Sequence, residues 1–175
     1  MFIATKNTKV IAIHEVEWQC RKNAKGLDKS AYWTWLATVT SEDENGVKTY
    51  DFSGEDYDIV ETDAPLSYES TNDEGNPITI PFNQSGHIHS DLEGTHYHLT
   101  WDGSAIIPDD TALTAYQTAD KWKNVRADRN RRLAETDYLA LNDQNLSAEM
   151  TTYRQALRDI TAQSDPDNIT WPEKP

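Results

Sequence analysis

Lys121-Trp122-Lys123-Asn124-Val125-Arg126 opens the stretch whose reading decides the fold, and Ile169-Thr170-Trp171-Pro172-Glu173-Lys174-Pro175 closes it. Trp122, Val125, Leu133 and Thr136 recur on one helical face, with Arg129 in the middle of it. Further on, Ser147 is a suitable N-cap, and Glu149 stands in the first turn, where a carboxylate complements the helix dipole. Met150, Tyr153, Leu157 and Ile160 follow at helical spacing and give this second helix one apolar stripe. Asp165-Pro166 is expected to stop it, because the residue before a proline avoids the α region. Two helices with matching apolar faces and a loop of moderate length predict an antiparallel hairpin. Trp171-Pro172 has no helical option and is expected to lie across that hairpin.

Three motifs in this stretch carry a resemblance. Arg126-x-x-Arg129-Asn130-x-x-Leu133-Ala134-x-Thr136-Asp137-Tyr138 comes first, Tyr153-Arg154-Gln155-Ala156-Leu157-Arg158-Asp159-Ile160 second, and Trp171-Pro172-x-x-Pro175 third. In this order they resemble the phage tail assembly chaperone-like domain, which ends tail-fibre assembly proteins and tail structural proteins of bacteriophages. The resemblance covers about the last third of the chain, the size of a small helical domain. It departs from the pattern at Tyr138, where a tryptophan is expected after the aspartate. The resemblance implies a phage tail protein that works by contact and not by catalysis. Its partners would be other tail, fibre or baseplate proteins. Trp122, Val125, Arg129, Leu133, Tyr153, Arg154, Leu157 and Trp171 are the residues expected to hold a partner or cap an oligomer. Arg129 and Arg154 lie near the apolar faces, and a buried arginine requires an acidic partner.

Composition narrows the field. A chain of 175 residues fits one domain or two small ones and can bury a core. A net charge of −14 disfavours a nucleic-acid surface, because like charge repels the phosphate backbone. Cys20 is the single cysteine, so no intrachain disulfide forms and synthesis in the reducing host cytoplasm is expected. Met1-Phe2-Ile3-Ala4-Thr5-Lys6 lacks the apolar run of a signal peptide, and no membrane span is expected after it. Acids concentrate between Glu42 and Glu74, and the sign reverses at Lys121, Lys123, Arg126, Arg129, Arg131 and Arg132. Two solvated faces account for this. A sharper alternative sets the acidic part of one copy against the basic helix of another.

Upstream, the chain reads as β structure. Lys9 to Trp18 alternates like a strand with one buried face, ended by a basic turn from Arg21 to Gly26. Asn45-Gly46 is a strong two-residue hairpin signal. Such a turn pairs Asp43 with Lys48, Ser41 with Tyr50 and Val39 with Phe52, placing Trp33, Trp35, Ala37 and Val39 on the face of Tyr50 and Phe52. Glu55 to Glu61 reads as a further strand, Asp73 to Pro77 as a turn, and Ile78-Thr79-Ile80 as a short strand. The two tryptophans suit a core or a subunit interface; exposed, they would stack on sugars.

His87, His89, His96 and His98 form two His-x-His pairs around Asp91-Leu92-Glu93-Gly94. On a strand each pair sets its imidazoles on one face, about 7 Å apart. A four-residue loop would put His89 opposite His96 and His87 opposite His98, clustering four nitrogens. A three-residue loop with Gly94 left-handed would split the pairs between faces. Imidazole suits iron or zinc, among other metals. His-x-His pairs in trimeric phage fibres are also known to meet at the threefold axis around an iron ion. This resemblance implies a trimer as one form of homo-oligomer. Ordinary strand histidines remain the alternative.

Among catalytic patterns, neither a Gly-x-Ser-x-Gly elbow nor a phosphate-binding glycine loop occurs. Cys20 stands beside basic residues that would lower its pKa, and is nevertheless read as structural. The expectation is an α+β chain, with a β-rich attachment or oligomerisation domain over residues 1–110 and a helical domain over residues 111–175. Thr114 to Lys121 would lead into the first helix after the Pro108-Asp109-Asp110 break. Three roles follow: a structural part of the virion tail, fibre or baseplate; a transient fibre-assembly chaperone; or a glycan-binding receptor module.

Overall fold

The computed structural model describes residues 1–92, 94–140 and 146–175, and Glu93 of the histidine turn lies outside them. The fold is α+β, as expected: antiparallel strands come first and helices last. The described chain divides into two compact units, Met1–Leu113 and Thr114–Pro175. Among the described residues no helix is long and apolar enough to cross a membrane.

A five-stranded sheet organises the first unit. Its strands are β1 (Phe2–Lys6), β2 (Lys9–His14), β5 (Asp58–Glu61), β10 (Leu99–Trp101) and β11 (Ile106–Pro108), in the order β11-β10-β2-β1-β5. Its two faces feed two cores: side chains alternate along β1, and a register shift on β2, where Ala4 pairs with Ala12 but Thr5 with Val10, sends Val10 and Ala12 to opposite faces. Ile3, Val10, Phe82, Leu99 and Ile106 pack on one face. Ala4 and Ala12 lie on the other, where Cys20 closes over them. Phe2–Lys6 is therefore an interior strand, flanked by β2 and β5. Asn7 (φ 50°) and Thr8 (φ 66°) join β1 to β2 through a two-residue turn with Lys6 opposite Lys9. Positive φ at both positions suits the right-handed twist of the flanking strands. Asn accepts that conformation; β-branched Thr does so only under strain.

Two corrections concern the segment after β2. The strand expected through Trp18 ends at His14, and α1 (Glu17–Ala24) replaces the basic turn. Cys20 and Ala24 lie one helical turn apart and face the sheet, while Arg21 pairs with Glu17 at 2.8 Å. Gly26 (φ 65°) terminates the helix: its N–H bonds to Asn23 O at 3.0 Å, and Leu27 N–H to Lys22 O at 3.2 Å. That is a Schellman C-cap, whose sequence cue is a glycine just past a basic last turn. Trp33 and Trp35 lie on a second helix, α2 (Lys29–Thr38), where a strand was expected. Asp28 caps it, accepting from Ala31 N–H at 2.8 Å, and Tyr32 and Leu36 are its buried residues.

Three small hairpins complete the unit. β3 (Thr40–Glu42) pairs with β4 (Lys48–Tyr50) one residue out of the expected register, Glu42 opposite Lys48 and Thr40 opposite Tyr50. The cause is Asp43. Its carboxylate accepts from Asn45 N–H at 2.9 Å and Val47 N–H at 2.8 Å, so the loop is a type I turn ending in left-handed Gly46 (φ 79°). Asn72 repeats the device between β6 (Ser67–Thr71) and β7 (Pro77–Pro81), accepting from Glu74 and Asn76 N–H. The third hairpin joins β8 (Ile88–Asp91) to β9 (Gly94–Tyr97).

The second unit takes most of α3 (Asp110–Ala134), a 3₁₀ turn (Asp137–Ala140), α4 (Ala148–Arg158), a second 3₁₀ turn (Asp159–Ala162) and an extended tail. α3 begins directly after β11, capped by Asp109, which accepts from Ala112 N–H at 2.9 Å; no lead-in from Thr114 is needed. Ser147 caps α4 as expected, accepting from Met150 N–H at 3.1 Å. The α4 helix stops at Arg158, before Asp165-Pro166, because the chain tightens into the 3₁₀ turn that buries Ile160.

Replacing Thr8 by glycine removes the β-branched side chain from a left-handed position. Thr8→Gly is expected to raise stability by about 1 kcal/mol, read from denaturant midpoints at constant slope. Cys20 Sγ faces the carbonyls of Phe2 and Ala12, and burial pushes the thiol from 9.0 up to about 11. The folded state therefore holds a proton that the unfolded chain releases. This contribution is full below 9.0 and is lost as pH rises through about 11. Thiol reagents at pH 8 are expected to leave Cys20 unmodified until denaturant is added.

Candidate functional site

The expected partner-binding residues sort into two groups. Tyr153 and Leu157 are buried in a cluster with Met150, against which Leu133, Leu139, Leu146 and Trp171 pack. Val125 is also buried, while Trp122 and Arg129 are half-buried. The inner stripe is thus used within the chain. Among the described residues, α3 enters this cluster through Leu133, in its last turn.

Arg154 is 7% exposed. Its Nη1 donates to Leu133 O at 3.0 Å and to Thr136 Oγ1, and its Nη2 donates to Asp137 Oδ1 at 2.7 Å. Thr136, fully buried, donates in turn to Leu133 O at 3.0 Å. The end of α3 leaves carbonyls without helical partners, and a cation placed there satisfies them and opposes the helix dipole. The acid expected for a buried arginine is Asp137, from the same chain. Arg129 instead donates from Nε to its neighbour Asn130 at 3.0 Å.

The tail runs along α3. Lys121 pairs with Asp167 at 2.7 Å, Arg132 lies over the Trp171 ring at 4.4 Å, and Lys174 reaches Glu135 at 3.9 Å. Arg131 and Arg132 both pair with Asp128. Much of the basic charge of α3 thus has acidic partners within its own unit. Between α4 and the tail an open groove of about 460 Å³ remains, lined by Ala148, Glu149, Thr152, Tyr153, Ala156, Pro172, Glu173 and Pro175.

In the first unit, β8 and β9 pair with His89 opposite His96, the register of the four-residue loop. His89 stacks on His96 at 4.9 Å and on His98 at 5.3 Å. Burial, then the like charge of His89, His96 and His87, lowers the His98 pKa. His87 does not join them. It precedes the strand, so the alternation rule does not govern it, and its ring bonds to Ser85 Oγ at 2.7 Å and Asp110 Oδ1 at 3.0 Å. The structure brings in Asp91, which sequence reasoning left out: its Oδ1 is 3.0 Å from His96 Nε2. Its cue was the loop itself, which opens on an aspartate.

The tryptophans of α2 contribute to a third feature. Trp33, 45% exposed, packs at a tilt against Trp18, ring centres 5.3 Å apart, beside an open cavity of about 350 Å³ with Arg21 and Phe52 in its wall. Arg21 lies 3.9 Å above the Phe52 ring and is paired with Glu55, whose side chain is 3% exposed. Glu55, one of the acidic run, therefore serves as an internal counter-ion.

Arg154→Ala strips bonds from Leu133 O and the buried Thr136 Oγ1 as well as from Asp137, and is expected to cost about 3 kcal/mol. Asp137→Asn is expected to cost less than about 1 kcal/mol, because Asp137 is 65% exposed and water screens the pair. Chemical denaturation of both variants checks the ranking.

No curated protein and no solved structure matches this chain. Residues 122–175, just under a third of the chain, match the family model described as phage tail assembly chaperone protein, and they span the Arg154 network, α4 and the tail.

Proposed function

We propose that this chain is a non-enzymatic bacteriophage tail protein, made in the host bacterium and acting through contact with other tail, fibre or baseplate proteins. The match of residues 122–175 supports the tail assignment. The observation that carries the contact role is the groove between α4 and the tail. Its walls are exposed Ala156 and Thr152 on one side and Pro172, Glu173 and Pro175 of the tail on the other. Such a groove accepts an apolar segment of a partner without unfolding the core beneath it, because Tyr153 and Leu157 are already packed inward.

Within this reading the chain is a lasting part of the tail, with a β-rich unit large enough to attach to it. The description of the matching family favours a second reading, a chaperone that leaves before the particle matures. Mass spectrometry of purified particles separates them: a fixed copy number is expected for a lasting part, and absence from particles with a complex in infected cells for a chaperone. Ala156→Arg, at an exposed position, is expected to weaken partner capture at least about tenfold, or roughly 1.4 kcal/mol, with an unchanged unfolding midpoint. Full capture by this variant would remove the groove from the reading.

A further inference from the structure

We propose that the β8–β9 hairpin binds one divalent transition-metal ion of the zinc class within a single chain, through His89, His96 and Asp91. One ligand atom from each of the three lies within 4.8 Å of the others. His89 and His96 face each other across the ladder with rings 4.9 Å apart, so two imidazoles leave one side of the hairpin together. Asp91 Oδ1 lies 3.0 Å from His96 Nε2, held also by Gly94 N–H at 3.2 Å. Ligand atoms about 2.0–2.2 Å from a tetrahedral zinc stand roughly 3.3–3.6 Å from each other. The Asp91–His96 contact is a hydrogen bond whose proton leaves as the ion enters, and 4.8 Å is the widest gap the three ligand atoms have to close.

The tautomer of His89 supports the same assignment. Its Nδ1 lies 3.1 Å from Gly86 O. A carbonyl only accepts, so Nδ1 carries the proton and the neutral ring keeps its lone pair on Nε2. Metal-bound histidines are oriented in this way, by a backbone carbonyl on the nitrogen remote from the ion. His98 stacks on the same ring at 5.3 Å and limits its rotation. Two imidazoles with one carboxylate suit zinc, cobalt or iron(II) and leave a position for water. The ion would staple the two strands across their turn. This inference stands on the hairpin alone and does not rest on the tail-protein reading.

The full chain, freed of metal by chelator, is titrated with Zn²⁺ and, for its visible absorption, with Co²⁺. One ion per chain is expected, with His89 and His96 ring resonances shifting on Zn²⁺ addition. Asp91→Asn, a near-isosteric change at an exposed position, and His96→Ala are each expected to weaken binding at least about tenfold, whereas His14→Ala leaves it unchanged. Absence of binding by the unaltered chain, equal affinity in Asp91→Asn and His96→Ala, or one ion per three chains would each overturn the proposal. The resonance shifts are read on the unaltered chain, so the test survives a variant that folds poorly.

Discussion

Arg154 enters the C-terminal unit with its guanidinium almost wholly removed from water, and the surrounding chain is arranged to replace that water. Leu133 O, Thr136 Oγ1 and Asp137 Oδ1 receive it, all from the segment where α3 ends. A buried cation without such partners costs several kcal/mol, so α4 is stable against α3 only in the position that supplies them. One contact therefore sets which turn of α3 meets α4. With that fixed, Leu133 reaches Met150, Tyr153 and Leu157, and Trp171 closes the cluster from the tail. The groove that remains between α4 and the tail is a by-product of this closure.

The same economy runs through the first unit. Apolar residues make up 37% of a strongly acidic chain, so its two small cores are assisted by polar side chains that direct the backbone. Asp28 and Asp109 cap helices, and Asp43 and Asn72 each accept two N–H groups to shape a loop. Glu55 balances Arg21 beside the Phe52 ring. Asp43 and Glu55, from a run that looks solvated, thus serve local geometry, and the charge of α3 is partly balanced by Asp128, Glu135 and Asp167. Electrostatic attraction between copies has correspondingly less unpaired charge on which to act.

Legibility followed the range of the interactions. The cap at Ser147, the stripe Met150-Tyr153-Leu157-Ile160 and the turn at Gly75 depend on neighbours within a few residues, and each was readable. Trp33 and Trp35 misled because alternating aromatics suit a strand as well as they suit a helix whose other faces also carry apolar residues. Asp28 ahead and Gly26 before it were helix signals that outweighed the alternation. The Asn45-Gly46 pair misled by one residue: the Asp43 carboxylate selected a longer loop than the dipeptide alone implies. At the histidine hairpin the sequence left the two registers balanced. His87 then left the cluster for Ser85 and Asp110, the second of them 23 residues away in the chain.

By itself the sequence determined the α+β class, the two amphipathic helices near the C-terminus with their tail, and the residues that mark the tail-assembly resemblance. Periodicity and capping are properties of adjacent residues, so they survive without a fold. Only the tertiary structure decided that Asp137 answers Arg154, that Asp91 joins His89 and His96, and that the inner stripe of α4 is spent on its own chain. Those outcomes depend on which groups lose water together, and that is settled by packing between segments far apart in the chain.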